Sequence, residues 1–116
     1  HKMIKMSGIF GAIAIMIGAF GAHALKSHLQ SLGTTAIFET AVLYHLAHAV
    51  ALLALSNISN ATVTKWCWAC GIIVFSGSLY IMAVTNARWL GAITPIGGLL
   101  LIVGWLALCF QGHKKA

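Results

Sequence analysis

The chain has 116 residues, 60% of them hydrophobic and only 7% charged. A soluble domain is about a quarter charged, so the composition excludes one. The formal net charge of +6 does not point to nucleic acid, because the seven basic residues stand singly or in pairs and form no basic face or stripe.

Four apolar runs follow one another, over residues 4–24, 36–56, 65–84 and 89–110. Each is close to the ~20 residues that a helix needs to cross a ~30 Å hydrocarbon core. The runs do not alternate and are about twice the length of a barrel strand. A helix satisfies its own backbone hydrogen bonds where lipid cannot. The expected fold is therefore all-α: an integral membrane bundle of four helices, up and down in antiparallel order, with residues 1–116 as one unit.

Span one combines a basic start, Lys2 and Lys5, with small residues at helical spacing. Its apolar stretch is long for a signal peptide, although Ala22-His23-Ala24 has the small-x-small form of a cleavage site. Gly11 and Gly18 are seven apart, and Gly18 and Gly21 flank Ala19-Phe20. Small faces let membrane helices approach closely, so Gly11, Gly18 and Gly21 are candidate packing residues. The link that follows is polar, with Lys26, Ser27, His28, Gln30 and Ser31, but Leu25, Leu29 and Leu32 recur at helical spacing. Part of it is expected to lie as a surface helix, ended by Gly33, and Thr34 or Thr35 is expected to cap span two.

Span two holds Glu39, the only acidic residue of the chain, near its start. Tyr44, His45 and His48 follow, with His48 about 13 Å further along the axis than Glu39. Span three opens with Cys67-Trp68-Ala69-Cys70 and carries Ser76, Ser78 and Tyr80. The link around Thr85–Arg88 is short, so spans three and four form an antiparallel hairpin. Span four carries Gly91, Gly97, Gly98 and Gly104 at packing spacings, together with Thr94 and Pro95. Pro95 within that span removes a helix hydrogen bond; a kink lining a small cavity is one reading, and a proline accommodated by packing is the commoner outcome in membrane helices.

Lys2, Lys5, Lys65, Lys114 and Lys115 fall on one side of this layout, and Lys26 and Arg88 on the other. By the positive-inside rule both termini are cytoplasmic, in an inner, cytoplasmic-type membrane. Cys67, Cys70 and Cys109 then sit in the cytoplasmic half, where thiols stay reduced, and are read as small apolar packing residues. Trp66, Trp68, Trp89 and Trp105 lie mostly near span ends, as an interfacial belt does.

The in-span polar residues gather in the outer half: His23, Glu39, Tyr44, His45, His48, Ser76, Ser78, Tyr80 and Thr94. Two kinds of role fit them. An intramembrane charge such as Glu39 often serves function, yet it also suits the positive start of a helix or a pair with Lys26 or Arg88. His45 and His48, three apart, are neighbours on one helix face with Cβ atoms about 5–6 Å apart. With His23 they are the candidate metal ligands, because a zinc or iron site needs at least three. Hydrogen bonding to Ser78, Tyr80 or Thr94 across helices answers the same geometry without a metal, and no cofactor is the favoured expectation.

Four stretches together carry a resemblance. They are Gly18-Ala19-Phe20-Gly21-Ala22-His23-Ala24-Leu25; Phe38-Glu39-Thr40-Ala41 with Tyr44-His45 and His48-Ala49; Phe75-Ser76-Gly77-Ser78-Leu79-Tyr80; and Ile93-Thr94-Pro95-Ile96-Gly97-Gly98 with Gly104-Trp105. The chain resembles the domain of unknown function 423 family, which includes transmembrane protein 256-like proteins. The resemblance implies a four-span membrane protein and implies no activity. The Cys67–Cys70 pair falls outside the family's pattern.

No nucleophile–base–acid set is present, so an enzyme is not expected. The first functional expectation is a small membrane protein acting through packing, as a homo-oligomer or an accessory subunit of a larger membrane complex. The alternatives are a metal-, haem- or small-ligand-binding protein using the outer-half histidines, and a small proton-coupled carrier or channel that must oligomerise to form a path. Lipids are partners in every case.

Overall fold

A computed structural model describes residues 2–110. Lys114 and Lys115, counted above for topology, lie outside the described residues. Among those residues there are four helical spans long and apolar enough to cross a membrane: Lys2–Ala22, Thr35–Ala54, Thr62–Thr85 and Arg88–Phe110. The elements in chain order are α1 (Lys2–Ala22), α2 (Lys26–Leu32), α3 (Thr35–Ala54), α4 (Thr62–Gly71), a π-helical turn (Ile72–Ser76), α5 (Gly77–Thr85), a 3-10 turn (Arg88–Ala92) and α6 (Thr94–Phe110). Span three is thus α4, the π turn and α5 run together, and span four is the 3-10 turn followed by α6.

The packing follows chain order. α1 lies on α3, α3 lies on the span-three elements, and α4 with the π turn lies on α6. The molecule measures 49 × 26 × 16 Å, so the two short dimensions are unequal. The bundle is flattened, with α1 at one edge. That edge position leaves Ile9, Ile15, Met16 and Phe20 largely exposed, as a lipid-facing or partner-facing helix requires.

Glycine sets the closest approaches. A Cβ on Gly21 would stand 2.1 Å from the Phe38 ring, one on Gly104 would stand 2.5 Å from the Trp68 ring, and one on Gly97 would stand 2.3 Å from the backbone nitrogen of Phe75. Gly71, which the spacing argument passed over, meets Leu101 in the same way, at 2.6 Å. Gly18 is tight against Val42 at 3.3 Å, while Gly98 and Gly91 have ordinary contacts at 3.6 Å and 3.8 Å. Gly11 meets nothing within 4 Å among the described residues, so within the chain it makes no close helix contact.

The π turn explains the Gly97 contact. A wider turn at Ile72–Ser76 pushes the Phe75 backbone outward, and only a residue without a side chain can lie against it. Such turns mark strained or functional points in helices. Leu52, Trp68, Ile72 and Leu101 form the core at one end. Ala41, Leu79, Met82 and Leu90 form another cluster toward the opposite end.

The first link forms a helix ended by its glycine, while Thr34 and Pro95 fall differently from expectation. α2 forms and Gly33 ends it in the left-handed region at φ 70, as a glycine terminator does. But α2 is pinned to the bundle, with Leu29 buried and His28 Nε2 donating to the Val84 carbonyl at 2.7 Å. Thr34 does not cap α3 with its side chain; its hydroxyl is fully buried and donates to the Ala83 carbonyl across the bundle at 2.6 Å. Pro95 falls in the first turn of α6 rather than its interior. There its missing N–H has no helix partner to lose, so the chain changes from 3-10 to α geometry at Pro95 without a mid-helix kink.

Candidate functional site

A membrane interior offers no water, so a polar side chain inside a span must find a partner within the protein. α3 carries His45 and His48 on its buried face, 4% and 5% exposed. Tyr80 of α5 donates its hydroxyl proton to His45 Nδ1, or accepts from it, at 2.8 Å. The His45 ring also meets the Phe10 ring of α1 edge-on, with centroids 6.1 Å apart. Its buried Nε2 has no hydrogen bond of ordinary geometry among the described residues, and the Phe10 backbone faces the ring.

His48 is more fully determined. Its Nδ1 lies 2.8 Å from the Tyr44 carbonyl, one turn earlier, and Trp105 Nε1 lies 3.0 Å from its Nε2. A carbonyl only accepts and an indole N–H only donates. His48 therefore carries its proton on Nδ1 and offers the Nε2 lone pair to Trp105. Both ring nitrogens are engaged, and in this arrangement neither has a lone pair for a metal. Trp68 completes the group, its ring centroid 4.5 Å from that of Trp105, with its own N–H reaching the Leu101 carbonyl at 3.2 Å.

The remaining in-span hydroxyls also join helices. Ser76, at the end of the π turn, donates to the Ala41 carbonyl of α3 at 2.8 Å. Ser78 Oγ and Thr94 Oγ1 are 2.6 Å apart, linking α5 to α6. Thr64 donates to the Gly104 carbonyl at 2.7 Å, linking α4 to α6. Sequence reasoning missed Thr34, Thr64 and the Trp68 N–H as cross-helix donors. Thr34 reads from the sequence as a cap residue and Thr64 carries no signal of its own; only the facing helix reveals the acceptor carbonyls, Ala83 and Gly104.

The structure therefore joins His45 to Tyr80, Ser76 to α3 and Ser78 to Thr94, and brings Tyr44 and His48 together with their rings stacked at 6.3 Å. It does not bring His23 to His45 and His48. His23 is exposed beyond the end of α1, and among the described residues no three His, Cys, Asp or Glu side chains are placed to share a metal ion. Glu39 is exposed on the side of α3 away from His48 and lies in the second turn, since the helix begins at Thr35. Among the described residues it has no hydrogen bond or ion pair, and Arg88 turns instead to Asn86 Oδ1 at 2.7 Å. Cys67 is half-buried, while Cys70 and Cys109 are exposed, all three as free thiols; the last two are thus not interior packing residues.

These features define a multi-pass α-helical membrane protein whose buried polar side chains tie its spans together. The family model described as "Protein of unknown function (DUF423)" matches residues 17–98. A UPF0382 membrane protein of Staphylococcus saprophyticus is 46% identical, covering 96% of this chain and 99% of that one. One of Bacillus subtilis is 41% identical over 96% of this chain and 95% of that one. One of Haemophilus influenzae is 34% identical, over 99% and 96%. The chain belongs to the DUF423 family of UPF0382 membrane proteins. No solved structure matches it. The family description and the relatives' names attach no reaction to it.

Proposed function

We propose that the protein is a non-enzymatic component of a cytoplasmic-type membrane, with both termini cytoplasmic, that acts through helix packing as a homo-oligomer or as a subunit of a larger membrane complex. The observation that carries this reading is the use of the buried polar groups. His45, His48, Thr34, Thr64, Trp68, Ser76 and Ser78 each bond to a different span or to the elements beside it. Such bonds fix helix positions, and no side chain among them is paired as nucleophile and base. The edge position of α1 supports the same reading, since its outward face is free for another helix.

The test is sedimentation equilibrium in density-matched detergent, with cross-linking in native membranes. A protein mass that is a multiple of 12.3 kDa, or a reproducible cross-linked partner, is expected. Gly11→Leu meets open space within the chain, so it is expected to keep the fold and reduce any α1-mediated association. A monomeric mass together with no cross-linked partner counts against the reading.

A further inference from the structure

A cavity lies away from the histidines. It opens between the end of α1, α2 and the first half of α3, with a volume of about 670 Å³. Its rim holds Lys26, Gln30 and Glu39, and its floor is apolar, with Val42, Leu43 and Leu46 of α3 running inward. Gly18, Gly21 and Ala22 of α1 form the facing wall, with Gly18 and Gly21 lying close against Val42 and Phe38 of α3. The polar end is at the membrane face where α1 ends and α3 begins, and the apolar end points toward the core. Glu39 to Leu46 spans about 10 Å along the helix axis.

The two rim charges are opposite, and neither is satisfied within the chain. Among the described residues the side chains of Lys26 and Glu39 have no hydrogen bond or ion pair, with each other or with any other group. Glu39 is also the sole acidic residue of a chain with seven Lys and Arg, yet it lines this slot in place of meeting one of them. A charge inside a membrane span is retained against its cost when something answers it. We propose that the slot binds one membrane phospholipid with an ammonium-bearing zwitterionic headgroup. The lipid ammonium donates to the Glu39 carboxylate, the phosphate accepts from the Lys26 ammonium, and an acyl chain lies along Val42, Leu43 and Leu46. Charge-assisted hydrogen bonds of this kind are the strong ones. The headgroup supplies both missing partners, and its tail fits the apolar floor.

The chemistry sets a ranking among lipids. A primary ammonium donates hydrogen bonds to a carboxylate, a choline group has no N–H to donate, and a glycerol headgroup has no cation. The experiment titrates the purified full chain in detergent with phosphatidylethanolamine, phosphatidylcholine and phosphatidylglycerol of one acyl length, read as one-to-one adducts by native mass spectrometry. Phosphatidylethanolamine is expected to bind about tenfold more tightly than either of the others. Glu39→Gln is expected to bring it to the level of phosphatidylcholine while leaving phosphatidylglycerol unchanged. Lys26→Gln is expected to weaken all three. Both side chains are exposed and unpartnered, so the fold should persist, and helix content by circular dichroism verifies it. Equal retention of the three lipids, a preference for phosphatidylglycerol, or a phosphatidylethanolamine preference that survives Glu39→Gln would overturn the proposal.

Discussion

Gly97→Ala is expected to destabilise the protein by about 3 kcal/mol, the upper part of the usual cost of overpacking. The reason is what the new methyl group meets. It would stand 2.3 Å from the Phe75 nitrogen and 2.7 Å from its Cα. Backbone atoms held in the π turn cannot rotate away as a side-chain tip does, so α6 must retreat from span three or the turn must rearrange. Retreat would also strain the Ser78–Thr94 and Thr64–Gly104 bonds that join the same helices. The neighbouring Gly98→Ala is the control. Its Cβ would meet the Phe75 ring at an ordinary 3.6 Å, and a change within about 0.5 kcal/mol is expected. Unfolding by sodium dodecyl sulfate in mixed micelles, followed by circular dichroism, measures both. Equal effects would show that the close approach at Gly97 is not what holds spans three and four together.

Trp68→Ala is expected to cost about 3 kcal/mol, at the low end for loss of a buried tryptophan. Trp68 is 1% exposed, lies against Gly104 and Trp105, and sends its N–H to Leu101. In water such a loss includes transfer of apolar surface from solvent. In a membrane the lipid is already apolar, so only packing and the hydrogen bond are lost. Trp68→Phe separates the two, since it keeps most of the ring and removes the N–H. It is expected to cost about 1 kcal/mol in the same unfolding assay. A Phe variant as unstable as the Ala variant would mean that the hydrogen bond, not the ring, carries the stability.

Much of the fold was legible because membrane spans obey length and composition directly. Four apolar runs of the right length led to four helical spans, and Gly33 ended its helix where a glycine terminator belongs. The detail that escaped lies in contacts between helices. The π turn at Ile72–Ser76 has no local signature, since one helical register reads like another in an apolar run. It is visible only once the Phe75 backbone is seen against Gly97. Pro95 does lie inside span four, Arg88–Phe110, but hydropathy runs continuously from Trp89 and gives no sign that the helix type changes just before the proline.

The candidate polar residues divide in the same way. That His45 and His48 share a face follows from spacing. That His48 faces Trp105 and His45 faces Tyr80 does not, because partner choice depends on how the helices rotate against each other. His23 could be grouped with them by depth alone, and depth says nothing of lateral position. Glu39 was readable as unusual from composition, but its place on the rim of a slot with Lys26 required α2 to be folded against the bundle.

Both ring nitrogens of His48 are taken up in hydrogen bonds, one to the Tyr44 carbonyl and one to Trp105 of another span. Nitrogen-15 solid-state NMR of histidine-labelled protein in lipid bilayers tests this arrangement most directly, with His48 assigned by its loss in His48→Asn. One neutral tautomer is expected for His48, protonated at Nδ1 with an acceptor Nε2 whose signal shifts in Trp105→Phe. A His48 signal from an imidazolium, from the Nε2-protonated tautomer or from a metal-bound nitrogen would contradict it.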